Sequence, residues 1–203
     1  MMRLLLHIAL GVILSTITAS ADSGPHITNS EVLRGRFVQE RHLQGFAAPL
    51  RSEGRFVLAP GRGLIWTTEK PFGVATVITE SGLIQEVNGN QTLNMSAAKL
   101  PFLSRLYRML GGALASDWLG LEDDFILARE GDVENWQLHL TPKKAEALTM
   151  PFRAIAVKGQ RFVDEVILTK PDGDHDRLTF HDQVLSSTPL TADEALTLSS
   201  VGR

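Results

Sequence analysis

Ser52-Glu53-Gly54-Arg55-Phe56-Val57-Leu58-Ala59-Pro60-Gly61-Arg62-Gly63-Leu64-Ile65-Trp66-Thr67-Thr68 reads as two strands and the turn between them. By the two-residue period of a strand, Ser52, Gly54, Phe56 and Leu58 share one face of the first run. Leu64 and Trp66 share one face of the second. Pro60 presets the backbone entering the turn, and Gly61 and Gly63 supply the conformations of a tight reversal. A connection this short makes the runs antiparallel neighbours, which predicts one surface built from Phe56, Leu58, Leu64 and Trp66.

The same rhythm extends in both directions. Leu33 to His42 is a run upstream; Gly73 to Thr79 and Leu83 to Val87 follow downstream, split by Glu80-Ser81-Gly82 and closed by Asn88-Gly89. Trp136 to Thr141, Phe152 to Val157, Phe162 to Thr169 and Asp176 to Asp182 complete the series. Lys158-Gly159-Gln160 and Pro171-Asp172-Gly173-Asp174 connect the later runs. Many short strands at even spacing predict a β-sandwich or barrel.

One segment departs from this pattern. From Leu100 to Leu119 the apolar spacing turns helical, through Phe102, Leu103, Leu106, Met109, Leu110, Ala113 and Leu114. Pro101 suits a first helical position, where its missing N–H has no partner to lose. Gly111-Gly112 stops or kinks the helix. The segment is either a helix packed on the sheet, with Arg105 and Arg108 in water, or a lid over an apolar cavity; spacing alone does not choose.

The amino-terminal residues carry a different signal. Arg3 precedes an apolar run from Leu4 to Ile17, and Ala19-Ser20-Ala21 leads into Asp22. That is the pattern of a secretory signal peptide cut after Ala21, too short to span a bilayer, which takes roughly 20 apolar residues. A single domain is expected over residues 22–203. The formal charge of −3 grows one unit more negative once Arg3 is removed, which gives no field for gripping a polyanion. Nucleic acid is therefore not an expected partner. The chain has no cysteine, so its exported fold rests on hydrophobic burial, and no thiol is available for lipidation.

Candidate chemistry is sparse. Ser96-Ala97-Ala98-Lys99 fits the S-x-x-K pattern of cell-envelope serine acyl-enzymes, in which the lysine assists the serine. Its companions are missing: Ser116-Asp117-Trp118 is not S-D-N, and no K-T-G occurs. Asp172, Asp174 and Asp176 alternate like the start of a calcium loop, but Arg177 and Gln183 stand where a glycine and a bidentate glutamate belong. A hairpin turn explains them more simply. His175 and His181 have no third metal ligand nearby in sequence. No catalytic residue, metal site or cofactor is assigned, and the chain reads as a non-enzyme. Phe37, Phe56, Leu64, Trp66, Phe72, Met150 and Phe152 are compatible with either a filled core or an apolar ligand cavity.

The order of short motifs adds a resemblance. Gly35-Arg36-Phe37-Val38-Gln39, Ser52-Glu53-Gly54-Arg55-Phe56, Gly61-Arg62-Gly63-Leu64-Ile65-Trp66 and Lys70-Pro71-Phe72 come first. Pro101-Phe102-Leu103, Ser116-Asp117-Trp118 and Trp136-Gln137-Leu138-His139-Leu140-Thr141-Pro142-Lys143 follow. Asp164-Glu165-Val166 leads through Gly173 to the closing Leu178-Thr179-Phe180. Together these resemble the LolA-like periplasmic outer-membrane lipoprotein carriers. The resemblance implies a mainly β (α+β) fold, an incomplete, half-open antiparallel β-barrel with a helical lid. It implies a lipid-binding cavity at Phe56, Leu58, Leu64 and Trp66, covered by Phe102, Leu106 and Leu110.

In the family an arginine directly before a proline helps control the lid. Here that pair is Ala59-Pro60, and Arg62 is the candidate for the role. The short span from Asp22 to Leu33 shortens or removes the family's long first helix. The implied activity is to shield the acyl chains of a lipoprotein or other lipidic cargo across the periplasm. The implied partners are the lipidated cargo, an inner-membrane ABC-type donor and an outer-membrane acceptor, with the carrier itself a monomer. The alternatives are a serine acyl-enzyme using Ser96 and Lys99, or an envelope scaffold that binds nothing.

Overall fold

The computed structural model describes residues 27–98, 121–132, 134–143 and 150–201. The expected leader, Lys99, the segment expected to be helical with Phe102, Leu106 and Leu110, and Trp118 lie outside the described residues. Within them the chain runs β1 (Val32–His42), β2 (Leu50–Ala59), β3 (Gly63–Lys70), β4 (Val74–Thr79), β5 (Gly82–Val87) and β6 (Asn90–Ser96). It continues with β7 (Phe125–Gly131), β8 (Trp136–Pro142), β9 (Ala154–Gly159), β10 (Val163–Thr169), β11 (His175–Ser186) and α1 (Ala192–Ser199).

All eleven strands form one antiparallel sheet in the order β6-β5-β4-β3-β2-β1-β11-β10-β9-β8-β7. It is two meanders, β1 to β6 and β7 to β11, joined where β1 pairs with β11. Strands β6 and β7 end the sheet without pairing to each other, so the barrel is incomplete and half-open, as expected.

The register follows the sequence pattern closely. Phe56 lies opposite Trp66, and Leu58 opposite Leu64, so all four residues share the inner face. Between β1 and β2 the motif residues interlock: Gly35 lies opposite Phe56, and Phe37 opposite Gly54. A Cβ on Gly35 would sit 2.7 Å from the Phe56 ring. Phe56 therefore occupies space that Gly35 leaves free, whereas Gly54 makes room for the Thr67 carbonyl of β3.

Both faces of the sheet are apolar over part of their area. The inner face gathers Leu33, Phe37, Phe56, Leu58, Leu64 and Ile78 from one meander with Trp136, Leu140, Val157 and Phe180 from the other. Burying each such side chain contributes roughly 1.5–3 kcal/mol. The outer face of β2 to β5 carries Val57, Ala59, Ile65, Val77 and Ile84, covered by Leu198 and Val201.

Helix α1 begins with a reciprocal cap. The Thr191 hydroxyl accepts from the Glu194 N–H at 3.2 Å, and the Glu194 carboxylate accepts from the Thr191 N–H at 2.8 Å. Glu194 also takes two hydrogen bonds from Arg34 of β1, at 3.1 and 2.7 Å, which fastens the helix to the sheet.

Three elements were not expected from periodicity: β6, β7 and α1. Strand β6, Asn90-Gln91-Thr92-Leu93-Asn94-Met95-Ser96, is an exposed edge with little apolar alternation. In β7 only Phe125 is buried. Helix α1 buries only Leu198, and the Thr191-Ala192-Asp193-Glu194 capping pattern was its one local signal.

Candidate functional site

The centre of the inner face is aromatic. Phe37 and Trp66 stack with ring centroids 3.8 Å apart, and Phe56 lies 6.2 Å from Trp66. Phe180 of β11 meets Phe56 and Trp66 edge-on, at 5.6 and 6.1 Å. Edge-to-face and offset arrangements of this kind add about 0.5–1.5 kcal/mol per pair beyond burial. The alternation of β2 and β3 brings Phe56 and Trp66 here. Phe180 arrives through the β1–β11 pairing, in which Phe37 lies opposite Phe180. That pairing joins residues far apart in sequence, and no local pattern announces it.

The predicted wall residues differ in access. Phe56 and Leu58 are each 1% exposed and Leu64 is 0%, so no water-sized space adjoins them. Trp66 is only partly buried. Trp66 is thus reachable at the surface of this cluster, whereas reaching Leu64 requires neighbouring side chains to part. Phe72, read from sequence among the core or cavity aromatics, is instead 73% exposed in the β3–β4 turn. Met150 and Phe152 are buried with the inner cluster.

Arg62 sits exposed in the turn between β2 and β3, where its backbone N–H donates to the Ala59 carbonyl at 2.9 Å. Its guanidinium holds no partner among the described residues. Ser96 ends β6 opposite Gly82. The three aspartates of β10–β11 turn to separate partners. Asp172 accepts from the Asp174 N–H at 3.0 Å, and Asp174 accepts from the Gln44 N–H at 2.9 Å. They cap a turn and hold the β1–β2 loop beside it. Among the described residues no group of three or more His, Asp or Glu could hold a metal.

Beyond the aromatic centre, the inner face ends in charge. Asp176, 6% exposed, accepts from Arg41 Nε at 2.9 Å and lies 3.5 Å from Lys170 Nζ. At the opposite end of the sheet a pocket of about 190 Å³ is lined by Asn135, Trp136, Lys158, Gln160 and Asp164, among others. The Trp136 indole N–H donates to the Gln160 carbonyl there at 2.7 Å, and burial holds the Asp164 carboxyl above its usual range. On the outer face, the hydrogen bond from Arg34 holds the Glu194 carboxyl below its usual range.

No curated protein matches the sequence. A LolA superfamily protein from Nitrosomonas europaea matches in structure at 11% identity and TM-score 0.46, covering 84% of this chain and 94% of its own. The Pseudomonas aeruginosa MucA/MucB complex matches at 14% identity and TM-score 0.45, covering 81% of this chain and 55% of that one. The Mycobacterium tuberculosis lipoprotein LppX matches at 10% identity and TM-score 0.41, covering 81% of this chain and 90% of its own. In sequence, one family model spans residues 24–198, from before β1 into α1. On that match the chain belongs to the family of outer membrane lipoprotein carrier protein LolA-like proteins.

Proposed function

We propose that this protein is a periplasmic carrier that holds the acyl chains of a lipoprotein or other lipidic cargo against its inner face. The observation that carries this reading is the aromatic cluster of Phe37, Phe56, Trp66 and Phe180 on the inner side of an open sheet. Each acyl CH₂ left in water costs roughly 0.8 kcal/mol, so a long chain does not cross an aqueous space without a host. Carriage of this kind forms and breaks no covalent bond. The cargo would pass from an inner-membrane ABC-type donor to an outer-membrane acceptor. Complete burial of Leu64, Leu58 and Phe56 means that loading separates side chains from this cluster. Residues Phe102, Leu106 and Leu110 are proposed to cover the inner face, and Arg62 to influence that cover.

The same burial favours one competing reading, a scaffold with a filled core, which predicts no ligand. Protein exported with its own leader and purified without detergent decides between them. Extraction and mass spectrometry are expected to return an acylated molecule in near-stoichiometric amount. Lipid-free protein that also takes up no acyl probe in vitro would refute the carrier.

A further inference from the structure

Along the β1–β11 seam the inner face is a ladder of three rungs. Phe37 lies opposite Phe180, Gln39 opposite Leu178, and Arg41 opposite Asp176. Alternate residues share a face, so the aromatic centre continues through Leu178 into the Arg41–Asp176 pair, about 13 Å further along the strands. On the far side of Asp176 its β10 neighbour is Leu168, a member of the inner cluster. Lys170 lies just beyond the end of β10, with its ammonium on the second carboxylate oxygen of Asp176.

The trio is more than a neutralised buried acid. Asp176 is 9% exposed at its side chain, whereas Arg41 is 47% exposed and engages the carboxylate through Nε alone. Among the described residues both Arg41 Nη atoms remain without partners. The nearby acids Asp172 and Asp174 are engaged in the turn at the Asp174 and Gln44 N–H groups. The buried carboxylate thus fixes a guanidinium whose two-nitrogen edge is open at the end of an apolar row. Such an edge matches the paired oxygens of a carboxylate or phosphate.

We propose, resting on the carrier reading above, that Arg41 and Lys170 bind the anionic head of the cargo lipid, a carboxylate or phosphate, while its acyl chain parts the cluster beside the buried Leu178 and Phe180 and reaches the partly exposed Trp66. The cargo class is then an acidic amphiphile. Asp176 is a positioning residue that aims Arg41.

Three fluorescent probes of one chain length test this with the full mature protein: a fatty acid, the corresponding fatty alcohol and the corresponding lysophosphatidic acid. Either anion is expected to bind about tenfold or more tightly than the alcohol. Arg41→Gln should reduce the anions to the affinity of the alcohol and leave the alcohol unchanged. Equal binding of all three by the native protein would overturn the inference while leaving the carrier intact, as would equal weakening of all three in the variant. Binding of none would overturn the carrier reading itself. Where Arg41→Gln does not fold, Arg41→Lys keeps Asp176 paired but removes the fork. It is expected to lose most of the preference, and native affinity for the anions would refute the assignment.

Discussion

Substituting glutamate for Leu64 asks whether the centre of the inner face is packed or wet. Leu64 is 0% exposed, lies between Leu58 and Ile78 on the adjoining strands, and belongs to a cluster of hydrophobic side chains. The change removes roughly 1.5–3 kcal/mol of leucine burial. It also buries a carboxyl with no polar partner, worth roughly another 1–3 kcal/mol even when protonated. The expected loss is therefore roughly 2.5–6 kcal/mol, reaching the range of the most damaging single substitutions.

Because burial raises the folded-state pKa of the new carboxyl, the native state keeps a proton that the unfolded chain releases above about pH 4.3. Stability of the variant relative to the native protein should then fall as pH rises, by up to about 1.4 kcal/mol per unit, until the folded-state pKa is passed. Urea unfolding at pH 5.5 and pH 7.5, with lipid uptake measured on the same samples, reads both quantities. A loss below about 2 kcal/mol with no pH dependence would refute the reasoning, because the carboxylate would then be in water beside an open path.

Three further outcomes follow from the same contacts. Glu194→Gln should cost about 1–2 kcal/mol in urea by replacing the charged pair with Arg34, and it should expose Val57 and Ile65 before the rest of the sheet. The Glu194 carboxyl is held below its usual range, so its contribution is present above the ordinary glutamate value and is lost as pH falls through the folded value. Amide protection at Leu198 and Val201 should accordingly fall as pH drops through that folded value while β1 and β11 remain protected. Gly54→Ala would place a Cβ 1.9 Å from the Thr67 carbonyl oxygen, so the β2–β3 pairing must shift. A loss of about 3 kcal/mol is expected, seen as a fall in Tm of roughly 6–12 °C.

What the sequence disclosed depended on where each strand lies in the sheet. Interior strands such as β2 and β3 are paired at both edges and apolar on both faces near their shared turn, and the short Pro60–Gly63 connection made the common face of Phe56, Leu58, Leu64 and Trp66 legible. Strands β6 and β7 sit at the ends of the sheet, are mostly exposed, and carry too few buried residues to impose a period. Helix α1 was hidden for a similar reason, since it rests one leucine on the outer face.

The sequence also could not say that Phe180 and Asp176 join the inner face beside Phe37 and Arg41. That depends on a pairing between β1 and β11 across most of the chain. The degree of packing was equally silent. The same apolar residues serve a dry core and a lipid site, and only the burial of Leu64 beside the partial exposure of Trp66 distinguishes their positions.

The fit of Phe56 over Gly35 also bears on how the chain avoids folding wrongly. A slip of one residue would turn apolar side chains to water, but a slip of two keeps every side chain on its proper face and passes that test. Here a two-residue slip fails on shape. In one direction Phe37 replaces Gly35 opposite Phe56, in the other Leu33 does, and the Phe56 ring leaves no room for either side chain. Strand β1 is the hinge of the whole sheet, paired to β2 on one side and β11 on the other, so an error there would be copied into both meanders. One glycine and one phenylalanine thus proofread the alignment from which the nine remaining strands take their places.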